Sequence, residues 1–301
     1  MEPRSVGEGP VKEFEFSSPV SIDQAVTLMA GDGTHALAGG TDLIVQMREG
    51  RREVAHIVDL KRIPELNMIR EEADGSLRIG AALNITAMAK HPAMSRYPAV
   101  VESGQMIGSY QIQNRASIGG NVCNASPSAD AIPALICLGA RATVAGPDGR
   151  REEPIETLFL KPGKIRLGPR EILVAVTLPA VSARSAAKYL RFTPRREMDI
   201  AVAGAGAWLR LAADGAIAEA RVSLASVAPT PIRAPQAERW LVGQTPNAKL
   251  LDEAGRLAAE GARPISDTRG SADYRRELVL VLTRRALAAC CAQLGRPVEV
   301  A

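Results

Sequence analysis

The sequence predicts an α+β protein built from successive units, and three observations predict it. Strand and helix signals alternate up to Leu60, and paired strands around Asp-Gly turns follow as far as Pro179. Beyond residue 187, two long strand-like runs precede three helical segments.

Phe14-Glu15-Phe16 reads as a short strand, and Ser21 as the N-cap of a helix with Ala25, Val26, Leu28 and Met29 on one side. Gly31 and Gly33 end that helix. Residues 35–38 form a short apolar strand running into Gly39-Gly40-Thr41-Asp42, and a helix follows from Leu43 to about Arg48. With the strand at 56–60 this makes a β-α-β-α-β unit. Strands at 67–70 and 77–81 flank Asp74-Gly75, a hairpin signal. A helix over 99–106 leads into a glycine-containing stretch at 108–124, then come a helix at 131–138 and strands at 141–145 and 171–178. The small, polar, unpatterned segment 181–187 marks a boundary. It gives one domain over 1–180, with subdomains of about 1–62 and 63–180, and a second over 181–301. In the second, antiparallel strands at 201–211 and 216–225 meet at Asp214-Gly215. Helices are expected at 234–241, 250–260 and 273–293, the last with a packing face of Leu278, Leu282, Ala286 and Ala289.

A chain of 301 residues with 46% hydrophobic residues can bury a sizeable core, which excludes disordered and collagen-like classes. Aromatics at 3% argue against a base-stacking platform. The net charge of +4 comes largely from arginine pairs with acids nearby (Arg51-Arg52, Arg195-Arg196, Arg275-Arg276, Arg284-Arg285), which reads as mixed-charge surface and not as a nucleic-acid footprint. Cys123, Cys137, Cys290 and Cys291 lack iron–sulfur or zinc spacing. The N-terminus has no apolar signal-peptide core, and the longest uncharged apolar run, 200–209, is too short for a membrane span. A soluble cytoplasmic protein with reduced thiols is expected.

Two glycine pairs carry the functional signal. Ala38-Gly39-Gly40-Thr41-Asp42 lies between a strand and a helix, where unpaired backbone N–H groups meet the positive end of a helix dipole. Glycines let an anion approach the backbone, and Thr41 can add a hydroxyl, so phosphate is the natural guest. A purely structural turn explains the same residues. Asp42 is expected to cap the helix starting at Leu43. The second pair, in Ser117-Ile118-Gly119-Gly120-Asn121, reads as a loop, followed by Ser126-Pro127-Ser128-Ala129-Asp130. Asp130 is expected to N-cap the next helix, with Pro133 in its first turn. Together the two loops could clamp one long cofactor.

The Rossmann fingerprint is missing, because Gly204-Ala205-Gly206 sits in a strand-like run and is read as close backbone packing. His35, His56 and His91 are isolated, and no catalytic residue set or metal site is found. A nucleotide clamp without acid, base or metal leaves the chemistry to a cofactor.

These motifs resemble the FAD-binding medium subunit of molybdenum hydroxylases, the family of xanthine dehydrogenase and carbon monoxide dehydrogenase. The likeness extends through Glu171-Ile172-Leu173, Tyr189-Leu190-Arg191-Phe192, Ala228-Pro229-Thr230-Pro231 and the stretch 266–276. It implies a p-cresol methylhydroxylase-type FAD domain of two α/β subdomains, followed by a C-terminal domain with a small antiparallel sheet and helices. By position, Ala36, Leu37, Ala38, Gly39, Gly40, Thr41, Asp42 and Leu43 would wrap the FAD diphosphate. Ser117, Ile118, Gly119, Gly120 and Asn121 would hold it from the other side. Ser126, Asp130 and Leu173 would add contacts, with Ile107 where some relatives carry an aromatic and Arg191 where lysine is usual. The resemblance also implies partners: a large molybdenum–pterin subunit and a small subunit with two [2Fe–2S] clusters, assembled as a dimer of heterotrimers. Electrons would pass from those clusters through FAD to NAD+ or another acceptor. A stand-alone flavin oxidoreductase and a non-catalytic nucleotide-binding scaffold are the alternatives.

Overall fold

The computed structural model describes residues 12–195 and 197–300. Near its N-terminus β1 (Glu15–Ser17), α1 (Ile22–Leu28), β2 (Thr34–Leu37), α2 (Leu43–Arg48) and β3 (His56–Asp59) form a parallel three-stranded sheet of order β1-β3-β2. Each strand-to-strand passage crosses over, so the ends of β2 and β3 emerge on one edge. Ser21 caps α1 as expected, its Oγ accepting from Gln24 N at 3.2 Å.

The middle of the chain begins with the hairpin β4 (Ile69–Glu71) and β5 (Leu77–Gly80), with Gly75 at φ +79° in its turn. Five helices follow: α3 (Ile85–Lys90), α4 (Pro98–Gln105), α5 (Tyr110–Gln113), α6 (Ile118–Asn124) and α7 (Ala131–Leu138). Strands β6 (Arg141–Gly146), β7 (Gly149–Pro154), β8 (Phe159–Lys161), β9 (Lys164–Ile165) and β10 (Ile172–Leu178) complete this part. An antiparallel sheet of order β4-β5-β10-β6-β7 results, with β8-β9 as a separate hairpin. Its core packs Leu77, Ile79, Val144 and Val176 against Ile85, Met88, Val100, Ile118 and Leu135 of the helices. A second cluster, in which Val26, Val58, Leu66, Ala145 and Val174 meet, joins the two sheets.

The remainder comprises β11 (Ser185–Phe192), β12 (Ala203–Leu211), β13 (Ile217–Ala225), β14 (Ile232–Arg233), α8 (Pro235–Leu241), α9 (Ala248–Gly261) and α10 (Ala272–Gln293). The antiparallel sheet β11-β12-β13-β14 is covered by α10 and α8 on one side, with α9 packed on those two helices, and by α7 on the other. The glycines of β12 allow that second contact. A Cβ at Gly206 would stand 3.0 Å from the Pro133 carbonyl oxygen of α7, so the close-packing expectation for Gly204-Ala205-Gly206 holds.

Four expectations need correction. The stretch 118–124 is helical, because Ser117 caps it and offsets two glycines. Residues 185–187 belong to β11, whose small side chains hide the strand signal in the sequence. On α10 the buried line runs through Val279, Leu282, Ala286 and Cys290, leaving Leu278 and Ala289 half-buried. Arg275 is not surface charge: its side chain is 4% exposed and donates to Asp267 Oδ1 (2.7 Å), Val202 O (2.8 Å) and Ser226 O (3.0 Å). Arg51, Arg195 and Arg284 pair with Glu49, Asp199 and Asp252 nearer the surface, and Arg196 lies outside the described residues. Among the described residues no helix is long and apolar enough to cross a membrane.

Candidate functional site

Where β2 ends, Lys61 Nζ holds the Ala38 carbonyl at 3.1 Å and the Asp59 carboxylate at 2.6 Å, fixing the mouth of the glycine turn. Gly40 stands at φ +76°, a conformation that side chains resist. Gly39 serves a different purpose: a Cβ there would overlap the Arg115 carbonyl oxygen and come within 2.8 Å of Ala116 Cα. The first turn thus lies directly on the segment preceding α6. Among the described residues, the backbone N–H groups of Gly39, Gly40, Thr41 and Asp42 have no acceptor in the chain.

Asp42 does not cap α2 with its side chain. Its Oδ1 instead accepts from Asn124 Nδ2 at 3.0 Å, and Asn124 Oδ1 accepts from Gln46 Nε2 at 3.3 Å. Burial pushes the Asp42 carboxyl above its ordinary value, with the Asn124 hydrogen bond and Arg51 acting against that rise.

On the opposite side, Ser117 Oγ accepts from Gly120 N at 3.0 Å and starts α6. The two glycines of this helix differ. A Cβ at Gly119 would overlap the backbone of Ala81, so its bareness is needed for packing behind the helix. A Cβ at Gly120 would meet only Ser117 Oγ, at 3.1 Å. Asn121 Oδ1 is buried without a hydrogen-bond partner.

Between the two elements lies a cavity of about 140 Å³. It is lined by Ala36, Leu37, Ala38, Gly39, Gly40, Thr41, Asp42, Leu43, Ile107, Ser117, Gly120 and Asn121, so most of the sequence-predicted residues come together. Ile118 and Gly119 are buried behind its wall. Gln46, Arg52, Ala116, Cys123 and Asn124 also line it and were not singled out from sequence. Gln46 had a readable signal, since it lies one helical turn beyond Asp42.

Four predicted residues lie elsewhere. Ser126 Oγ pairs with Ser128 Oγ at 2.9 Å. Leu173 is 4% exposed on β10, opposite Val144 of β6. Asp130 stands at the N-cap of α7 without capping it through its side chain. Its carboxylate accepts from Tyr189 Oη at 2.8 Å and from Arg191 at 2.5 Å. Burial outweighs both and pushes Asp130 up to about 6. Arg191 also borders a wider cavity of about 470 Å³, together with Met106, Gly108, Ser109 and Tyr110. Ile107 lines the smaller cavity, and its neighbours Met106 and Gly108 line the larger.

The histidines take local parts: His56 bonds Ser17 Oγ at 2.9 Å, and His91 Nδ1 accepts from Ala93 N at 3.3 Å. Burial lowers the His35 value. Among the described residues no group of three His, Cys, Asp or Glu is placed to hold a metal ion. Backbone donors, small residues and an orphaned amide oxygen suit a polar, anionic dinucleotide.

Comparison with known proteins supports that chemistry. Residues 12–181 match the FAD binding domain in molybdopterin dehydrogenase. Residues 188–290 match the CO dehydrogenase flavoprotein C-terminal domain. The chain is 32% identical over 289 residues to a xanthine dehydrogenase FAD-binding subunit of Escherichia coli O157:H7, covering 94% of this chain and 98% of that one. It is 34% identical over 278 residues to a carbon monoxide dehydrogenase medium chain of Afipia carboxidovorans, covering 91% and 95%. A solved carbon monoxide dehydrogenase from Hydrogenophaga pseudoflava superimposes with a TM-score of 0.90 at 31% identity, covering 94% and 98%.

Proposed function

We infer the function from one premise: this chain belongs to the family of FAD-binding subunits of molybdopterin dehydrogenases. The observation that carries the rest is the cavity between the Gly39-Gly40 turn, whose backbone donors are unpaired, and α6, whose lining residue Asn121 has a buried, unpartnered amide oxygen. Those residues fit FAD. The N–H groups of Gly39, Gly40, Thr41 and Asp42 would hold the diphosphate, with the Thr41 hydroxyl as a further donor. Asn121 Oδ1 would accept from a ligand hydroxyl or amine, which relieves the cost of leaving it buried and unpaired. Gly120 leaves room for a group to approach the helix wall. Ile107 lines this cavity, and its neighbours Met106 and Gly108 line the larger one beside Arg191, so the two lie on adjacent stretches of the chain.

When bound, FAD would supply the redox chemistry between a small [2Fe–2S] partner subunit and NAD+ or another acceptor. The organic substrate would be handled by a large molybdenum–pterin subunit, in a dimer of heterotrimers in the cytoplasm. This chain's share of catalysis is to fix the cofactor and set its surroundings through preorganised donors.

The test is anaerobic spectroscopy of the complex purified with its partners. Substrate should bleach a bound flavin spectrum. A fully assembled, active complex free of flavin would overturn the assignment.

A further inference from the structure

We propose that Asn124 and Gln46 form, with Asp42, a polar clasp that holds the glycine turn against α6 and thereby sets the affinity for FAD. The inference rests on the FAD reading above.

The three side chains come from segments 82 and 78 residues apart in sequence, yet all line the same cavity. Asn124 sits at their centre. It donates to Asp42 Oδ1 at 3.0 Å and accepts from Gln46 Nε2 at 3.3 Å. A carboxylate can only accept, so Asn124 must turn its amide nitrogen to Asp42 and its carbonyl oxygen to the Gln46 amide nitrogen. The amide therefore has one orientation that satisfies both neighbours. Its backbone is equally constrained, because Asn124 is the last residue of α6 and Ala125 follows at φ +48°.

On the other side, Asp42 occupies the N-cap position of α2 but spends no side-chain bond on that helix. Its capacity goes across the cavity instead. Gly39 packing on Arg115 and Ala116 fixes how closely the two walls approach. The clasp adds direction, since hydrogen bonds weaken steeply when the turn rotates. It also answers an electrostatic difficulty. A bare carboxylate beside a diphosphate repels it, and the Asn124 amide engages one of the Asp42 oxygens. Asn124 and Gln46 are thus positioning residues that act through Asp42 and the turn that carries it.

The experiment titrates the full-length chain with FAD, following flavin fluorescence, with thermal unfolding of the flavin-free chain as a control for folding. Asn124→Ala should raise the dissociation constant about tenfold. Gln46→Ala, a change on a half-buried face of α2 that does not threaten folding, should raise it about threefold. Asn124→Asp should weaken binding further, because two carboxylates then oppose each other. The reciprocal exchange D42N/N124D restores the bond with donor and acceptor reversed and the total charge unchanged. It should bring the constant back to within about threefold of the native chain. If both alanine variants bind as the native chain does, or if the exchange binds as poorly as the weaker single variant, the clasp is refuted while the FAD reading stands. A native chain that does not bind FAD refutes the reading and the clasp together.

Discussion

Tyr189 reaches the Asp130 carboxylate only because residue 204 is a glycine. A Cβ on Gly204 would overlap the Tyr189 hydroxyl, which donates to Asp130 Oδ1 at 2.8 Å. The strand β12 thus leaves a gap through which β11 can bond to the start of α7. Gly204→Ala should displace the phenol and destabilise the protein by about 1–3 kcal/mol. Chemical denaturation checks this, and an unchanged midpoint would show that the gap is not needed.

The same carboxylate gives the fold a pH dependence. Burial raises Asp130 from 3.8 to about 6 in the folded chain. Between those values the folded protein keeps a proton that the unfolded chain has lost, so stability should fall as pH rises from about 4 to about 6 and then level off. Asp130→Ala should abolish that slope. At pH 7.5 it should also cost about 3 kcal/mol, because Arg191 and Tyr189 lose their acceptor. Unfolding curves across this pH range decide the matter.

Gly39 is predicted to be intolerant for a reason unrelated to ligand. Gly39→Ala would push the turn off the Arg115–Ala116 backbone. The expected result is a loss of more than about 2 kcal/mol together with reduced flavin retention. Stability measured on the flavin-free chain separates this from a binding effect.

The second glycine pair should split. Gly119→Ala collides with Ala81 and should lower the melting temperature by several degrees. Gly120→Ala meets only Ser117 Oγ and should melt within a few degrees of the native chain, yet bind FAD more weakly. Equal effects at both positions would contradict the division of labour between them.

Much of this architecture was legible in the sequence because local signals agreed with the tertiary outcome. The helix starting at Leu43 and the helix at 131–138 follow from their apolar content. The turns at Gly75 and Gly215 show as positive-φ glycines between strands. What escaped reading was set by contacts distant in sequence. Asp42 and Asp130 both look like N-caps, but the nearest strong partners of their carboxylates are Asn124, Tyr189 and Arg191, far along the chain. Two adjacent glycines read as a loop at 119–120, whereas capping by Ser117 and packing on Ala81 hold them in a helix. Arg275 reads as surface charge, and only three acceptors from separate segments keep it buried.

The candidate site was legible as two small-residue segments whose meeting no spacing rule could guarantee. Asn124 escaped because its bonds to Asp42 and Gln46 cross 82 and 78 residues of sequence, whereas Gln46, one helical turn beyond Asp42, could have been read as its neighbour.

A structure of the chain bound to FAD tests the central claim most directly. The diphosphate oxygens should lie within hydrogen-bonding distance of the N–H groups between Gly39 and Asp42, with Asn121 Oδ1 receiving a ligand donor. An FAD complex in which that cavity holds only packed side chains, with the diphosphate seated elsewhere, would contradict it.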